Sequence, residues 1–211
     1  MKLNKSVNYK ENTIKFFDKM ANKNHGDSFK HYNNVLEWLN LLFTDKEYTL
    51  LDLGTGKGDL LLKIVEEFFN NNKLWKLIGL DISSEMIKKA LIKRLPADFK
   101  VGDSENLPFK NSSIDIITCI NSFHHYSNPK KSISEITRVL KPNGTLILGE
   151  IWLLPLFRNI INFLLPYMKT GDYKIYSCKE IQNIFAEQNI ILIEKKYVFP
   201  SNYTYLLKKI K

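Results

Sequence analysis

The residues best suited to hold a ligand lie in short glycine-rich and acidic stretches. In Leu51-Asp52-Leu53-Gly54-Thr55-Gly56-Lys57-Gly58-Asp59, alternate glycines follow an apolar run. Glycine permits a tight bend and lets a ligand approach the backbone closely. A helix opening after such a bend offers unpaired N–H groups and a positive dipole end to a carboxylate or phosphate. A dinucleotide turn reads G-x-G-x-x-G, but Asp59 stands where its third glycine would be, so the pattern here is D-x-G-x-G-x-G. The competing reading is a tight turn without a ligand. Asp81 ends a second apolar run, where a carboxylate can accept from both hydroxyls of a ribose, or can cap a helix beside Ser83. Gly102-Asp103-Ser104-Glu105 follows a third run. There Asp103 can accept from an adenine amino group and the Ser104 N–H can donate to a ring nitrogen; the competing reading is a polar loop.

Strands and helices in alternation must place these residues. Helical spacing predicts helices over residues 12–21, with Ile14, Phe17 and Met20 on one stripe, and 29–43, with Tyr32, Leu36, Leu39 and Phe43. Strands are expected at 48–53, 76–80, 99–101, 114–120 and 145–148. Helices are expected at 59–69, from Ser83 or Ser84 to about 95, and at 132–140. Lys141-Pro142-Asn143-Gly144 reads as a turn. This alternation argues for an α/β fold with a parallel sheet covered on both faces. Farther on, a helix over 178–188 precedes strands at 190–198 and 203–210, whose short connection requires an antiparallel hairpin.

Composition narrows the class. A chain of 211 residues, 44% hydrophobic and 25% charged, suits one domain. Its net charge of +9 invites nucleic acid or an anionic membrane as partner, yet its lysines are scattered without a long basic block, which favours a solvated surface. Cys119 and Cys178 are too far apart in sequence to suggest a metal motif or a disulfide framework, and no metal is expected. Residues 1–15 lack an apolar stretch of signal-peptide type, and no run suits a bilayer span, so a cytoplasmic setting is the expectation.

Taken together, residues 50–58, Gly79-Leu80-Asp81-Ile82-Ser83, residues 102–109 and Leu140-Lys141-Pro142-Asn143-Gly144 resemble the class I S-adenosylmethionine-dependent methyltransferases. The likeness is to the small-molecule branch that includes ubiquinone and menaquinone methyltransferases. It covers roughly residues 48–150, and the joint order of the motifs is specific for the cofactor and silent about the acceptor. It implies a doubly wound, mostly parallel seven-stranded sheet with the last strand inserted antiparallel. It further implies S-adenosylmethionine as cofactor, with Asp52, Gly54, Gly56 and Gly58 at its methionine end and Asp81 and Ile82 at the ribose. Asp103 and Ser104 would frame the adenine, and Asn121 would lie beside the cofactor. One domain over 1–211 is expected: a helical cap (1–45), a cofactor-binding core (46–150), an apolar lid-like insertion (151–177) and a C-terminal helix and hairpin (178–211).

The acceptor side is less specified. Asn121-Ser122-Phe123-His124-His125-Tyr126 lacks the Asn/Asp-Pro-Pro-Tyr/Phe motif of many base-methylating relatives. Methyl transfer from a sulfonium needs alignment and exclusion of water, and a base only for a protonated acceptor. His124, His125 and Glu150 are the candidate bases, each with a structural role as the alternative. Residues 151–168 are almost wholly apolar, Arg158 being their only charge. They read as a lid over an apolar acceptor pocket, as a surface touching a membrane or partner, or as core. Tyr9, Phe16 and Phe17 are available as aromatic walls opposite. A small apolar or aromatic acceptor is the leading expectation. An RNA or protein methyltransferase using the basic surface and a non-catalytic cofactor-binding module are the alternatives.

Overall fold

Strands that alternate between two apolar faces need a cover on each side. In a computed structural model, which describes residues 3–23, 29–42, 47–69, 75–168 and 170–210, both covers are present. β1 (Tyr48–Leu53), β2 (Trp75–Asp81), β3 (Ala97–Val101), β4 (Ile114–Ile120) and β5 (Leu140–Ile151) pair in parallel. β6 (Ile190–Val198) and β7 (Asn202–Lys209) form an antiparallel hairpin whose second strand pairs with β5. The seven-stranded order is β3-β2-β1-β4-β5-β7-β6. The expected fold class is thus the observed one.

Seven helices accompany the sheet among the described residues: α1 (Leu3–Met20), α2 (Phe29–Leu42), α3 (Asp59–Phe68), α4 (Ser84–Ile92), α5 (Pro129–Val139), α6 (Pro155–Met168) and α7 (Cys178–Ala186). The period-2 alternation of β1 divides its side chains. Leu50 joins Val35 and Leu39 of α2 and Leu61 and Ile64 of α3 on one face. Leu51 and Leu53 join Ile133 and Ile136 of α5 and Ile181 and Phe185 of α7 on the other. Each such buried aliphatic contributes about 1.5–3 kcal/mol relative to exposure, so both faces of the sheet are held covered. β1 has β2 on one side and β4 on the other. The chain therefore winds away in both directions from β1 and β4, and a crevice opens beyond their carboxyl ends.

Several boundaries differ from expectation. The helix expected at 12–21 is the second half of the longer α1, and Phe43 lies outside the described residues, as does the boundary at 45–46. Residues 141–144 form no free turn. They are absorbed into β5, where a register irregularity between Ile114 and Ile116 of the partner strand accommodates Asn143 at φ 62°. Pro129 opens α5 at its first turn behind the N-cap Asn128, earlier than the expected Ser132. No described helix is long and apolar enough to cross a membrane.

Candidate active site

The glycine turn is stitched to the neighbouring strand. The Gly54 and Thr55 amides donate to the Leu80 carbonyl at 2.8 and 3.0 Å. Gly54 has φ +77°, and a Cβ there would fall 2.0 Å from Ser122 Oγ, so both conformation and space require glycine. Gly56 faces open space: a Cβ there would meet nothing within 4 Å. Gly58 caps α3 in the left-handed conformation and packs on Phe99, which places it behind the cavity rather than in its lining.

Asp81 sits where β2 ends. Its Oδ2 accepts from the Gly56 amide and its Oδ1 from the Ser83 amide, each at 2.8 Å. Ser83, not Ser84, is the N-cap of α4, and its hydroxyl accepts from the Met86 amide at 3.1 Å. Asp81 therefore ties the turn to the helix while keeping lone pairs toward the crevice. Burial pushes its pKa up to about 6, against the pull of those amides. Asp52 is buried beside it and accepts from Thr118 Oγ1 at 2.8 Å. Burial raises it to about 6 as well, and the neighbouring Asp81 adds to the rise.

These groups share one cavity of about 220 Å³. Asp52, Gly54, Gly56, Asp81, Ile82, Asp103, Ser104 and Asn121 all line it. Across its mouth, α1 contributes Lys10, whose Nζ lies 2.7 Å from Asp103 and 3.0 Å from Glu105. Thr13 and Phe17 follow on the same helix face, and Phe29 and Tyr32 of α2 complete that wall. The sequence reading missed Lys10, Thr13, Phe29, Ser122 and Tyr126. The signal for the first two was present, since Lys10, Thr13 and Phe17 are spaced i, i+3, i+7. Of the proposed aromatic walls only Phe17 lines the cavity. Tyr9 packs edge-on against Tyr173, and Phe16 against Phe17.

The three candidate bases separate. Glu150 Oε2 lies 2.7 Å from His124 Nδ1, and its Oε1 accepts from the Phe123 amide at 2.9 Å. Both residues are buried and neither lines the cavity, because the pair closes on itself beneath the wall. Burial lowers the His124 pKa, but the Glu150 carboxylate outweighs it and holds it above the ordinary histidine value. His125 does line the cavity, edge-on to Phe17 at 4.7 Å between ring centres. Burial, reinforced by His124, holds its pKa well below the ordinary value, so it is neutral. No residue of 151–168 lines the cavity. α6 buries only Leu165, and Phe163 and Tyr167 are 73% and 76% exposed. Of the three readings offered for 151–168, the lid finds no support in the lining of this cavity, and the exposed outer face of α6 also sets core aside for most of the helix.

A family model described as "Methyltransferase domain" matches residues 44–195. A demethylmenaquinone methyltransferase of Thermotoga maritima is 33% identical over 178 residues, covering 80% of this chain and 69% of the relative. An uncharacterized methyltransferase of Schizosaccharomyces pombe is 33% identical over 147 residues, 69% of this chain; the match spans only 53% of that relative's length. Among solved structures, a chain from the Haloferax volcanii complex of the Trm112 methyltransferase activator with a methyltransferase superposes with TM-score 0.77. At 21% identity it covers 94% of this chain and 98% of its own.

Proposed function

The chain belongs to the class I S-adenosylmethionine-dependent methyltransferases, and from that premise we propose that it transfers the cofactor's methyl group to a small apolar or aromatic acceptor. The open Gly56 backbone and the Asp81 carboxylate at the head of α4 fit the cofactor's polar groups. In this reading Asp52 and the glycine turn hold the methionine end, with Gly58 serving through the bend rather than by contact. Asp81 accepts from the ribose hydroxyls next to Ile82, and Asp103 and Ser104 frame the adenine. Asn121, at φ 50° after β4, marks the passage from cofactor to acceptor. The cofactor supplies an already activated methyl group on a sulfonium.

What carries the acceptor half is the wall of the cavity beyond the glycine turn. Phe17, Phe29, Tyr32 and Ile120 make it apolar and aromatic, and neutral His125 is the candidate base that faces it. Alignment and water exclusion by such a wall are most of what methyl transfer asks of a protein. The name of the Thermotoga relative, a demethylmenaquinone methyltransferase, agrees with a quinone-like or phenolic acceptor. The domain division proposed is the one set out from the sequence, with α6 inside 151–177 showing an exposed apolar outer face and Ile175 and Tyr176 returning to the interior.

The test is methyl transfer from labelled S-adenosylmethionine to a panel of quinols, phenols and apolar amines, with RNA and protein run alongside. The expected result is a methylated aromatic product that Phe17→Ala diminishes. Label passing to RNA or protein alone would replace this reading with the macromolecular one.

A further inference from the structure

We propose that His124, His125 and Asp172 form a binding site for a divalent transition-metal ion of the zinc class, set into the cavity wall. Residues around Gly171 bring the third ligand to the histidine pair. Gly171 turns the chain at φ +81°, and the Tyr173 and Lys174 amides both donate to the His124 carbonyl, at 2.8 and 3.0 Å. Thr170 Oγ1 donates to Asp172 Oδ2 at 2.6 Å, which leaves Oδ1 facing the imidazoles.

The hydrogen bonds around the rings fix the tautomers. Glu150 offers His124 Nδ1 a carboxylate at 2.7 Å, so Nδ1 carries a proton, and in the neutral ring that a metal would bind Nε2 presents its lone pair. The Gly171 carbonyl accepts from the His125 ring, and His125 Nδ1 is buried with no hydrogen-bond partner. With the ring neutral and its proton on Nε2, Nδ1 is the second free lone pair. Asp172 Oδ1 lies 3.5 Å from His124 Nε2 and 3.2 Å from His125 Nδ1, and the three atoms lie within 4.8 Å of one another. Converging lone pairs repel unless a cation stands between them. A proton on His124 Nε2 would satisfy the longer contact and leave His125 Nδ1 against the carboxylate, whereas one metal ion satisfies all three.

The two carboxylate–imidazole separations fit such an ion. With metal–ligand bonds of about 2.0–2.1 Å in a tetrahedron, neighbouring ligand atoms lie roughly 3.3–3.4 Å apart, midway between the two observed separations. Two imidazoles and a carboxylate suit Zn²⁺, Co²⁺ or Fe²⁺ more than Mg²⁺ or Ca²⁺, which prefer oxygen donors. Glu150 on His124 Nδ1 is the carboxylate support that metal-bound histidines usually have. Three protein ligands leave one position open for water, whose pKa the ion would lower. His125 would then act as a ligand rather than as the base. The absence of any cysteine or histidine spacing motif hid this site in the sequence, because Asp172 is remote from the pair. The test needs neither cofactor nor acceptor, so failure to bind metal would leave the methyl-transfer reading standing with His125 as its candidate base.

Tag-free full-length protein, freed of metal by a chelator, would be titrated with Co²⁺ while its visible spectrum is followed. Metal content would be measured after dialysis against Zn²⁺. The expected result is one ion per chain, with tetrahedral Co²⁺ bands that Zn²⁺ displaces. Asp172→Ala, at a partly exposed position, should abolish the bands while circular dichroism and S-adenosylmethionine binding remain as in the wild type. Glu150→Gln should weaken the ion by about 10–100-fold. A wild-type protein that retains no ion, or equal retention by wild type and Asp172→Ala, overturns the proposal.

Discussion

At Asp81 folding and the proposed ribose contact make opposed demands. The buried carboxylate has a pKa of about 6, above its ordinary value of 3.8. The folded protein thus holds this proton more tightly than the unfolded chain, and stability from the group is full below about pH 4 and lost as pH rises through 6. The shift of about two units corresponds to roughly 3 kcal/mol as an upper figure. Denaturant unfolding of wild type and Asp81→Asn at pH 4 and pH 7 measures this cost. Wild type should gain relative to the variant as pH falls, by up to about 3 kcal/mol, and a constant difference would contradict the assignment. The residues proposed for the cofactor were legible from their motifs, and all but Gly58 line one cavity, because each lies at a local bend or a strand end. The His124–Glu150 pair was not, because His124 lies in a short 3-10 turn after β4 and Glu150 near the end of β5, and the β4–β5 register brings the two together.

At the scale of elements, α6 carries a clear contrast. Leu165 is 3% exposed while Phe163 is 73% exposed. Leu165→Ala should cost about 2–5 kcal/mol, and Phe163→Ser no more than about 0.5 kcal/mol. Comparable losses from both, measured by thermal or denaturant unfolding, would show that the outer face packs against something. The apolar character of residues 151–168 was plain in the sequence, but its direction was not, since helical periodicity cannot say which surface a stripe meets. β1 and β4 begin and end where their apolar runs do. β5 does not, because its pairing with Ile114 carries Pro142, Asn143 and Gly144 into the sheet despite their local turn preference.

Across the whole molecule, α1 closes the cavity that the sheet opens. Lys10 pairs with Asp103 and Glu105, while Thr13 and Phe17 line the same space. A cofactor bound in the proposed position would lie against this helix, so the Lys10 ion pairs are part of what would hold it. The Lys10 pairs are partly exposed and worth at most about 1 kcal/mol. Lys10→Met should therefore speed cofactor dissociation by about two- to fivefold in stopped-flow displacement, and an unchanged rate would separate the helix from release.

The most direct test of the central claim is calorimetric titration of S-adenosylmethionine and S-adenosylhomocysteine into wild type and Asp81→Ala. Micromolar binding to the wild type, weakened at least about 10–100-fold in the variant by loss of charged hydrogen bonds, is the predicted result. Folded wild-type protein that binds neither ligand would contradict the account at its root.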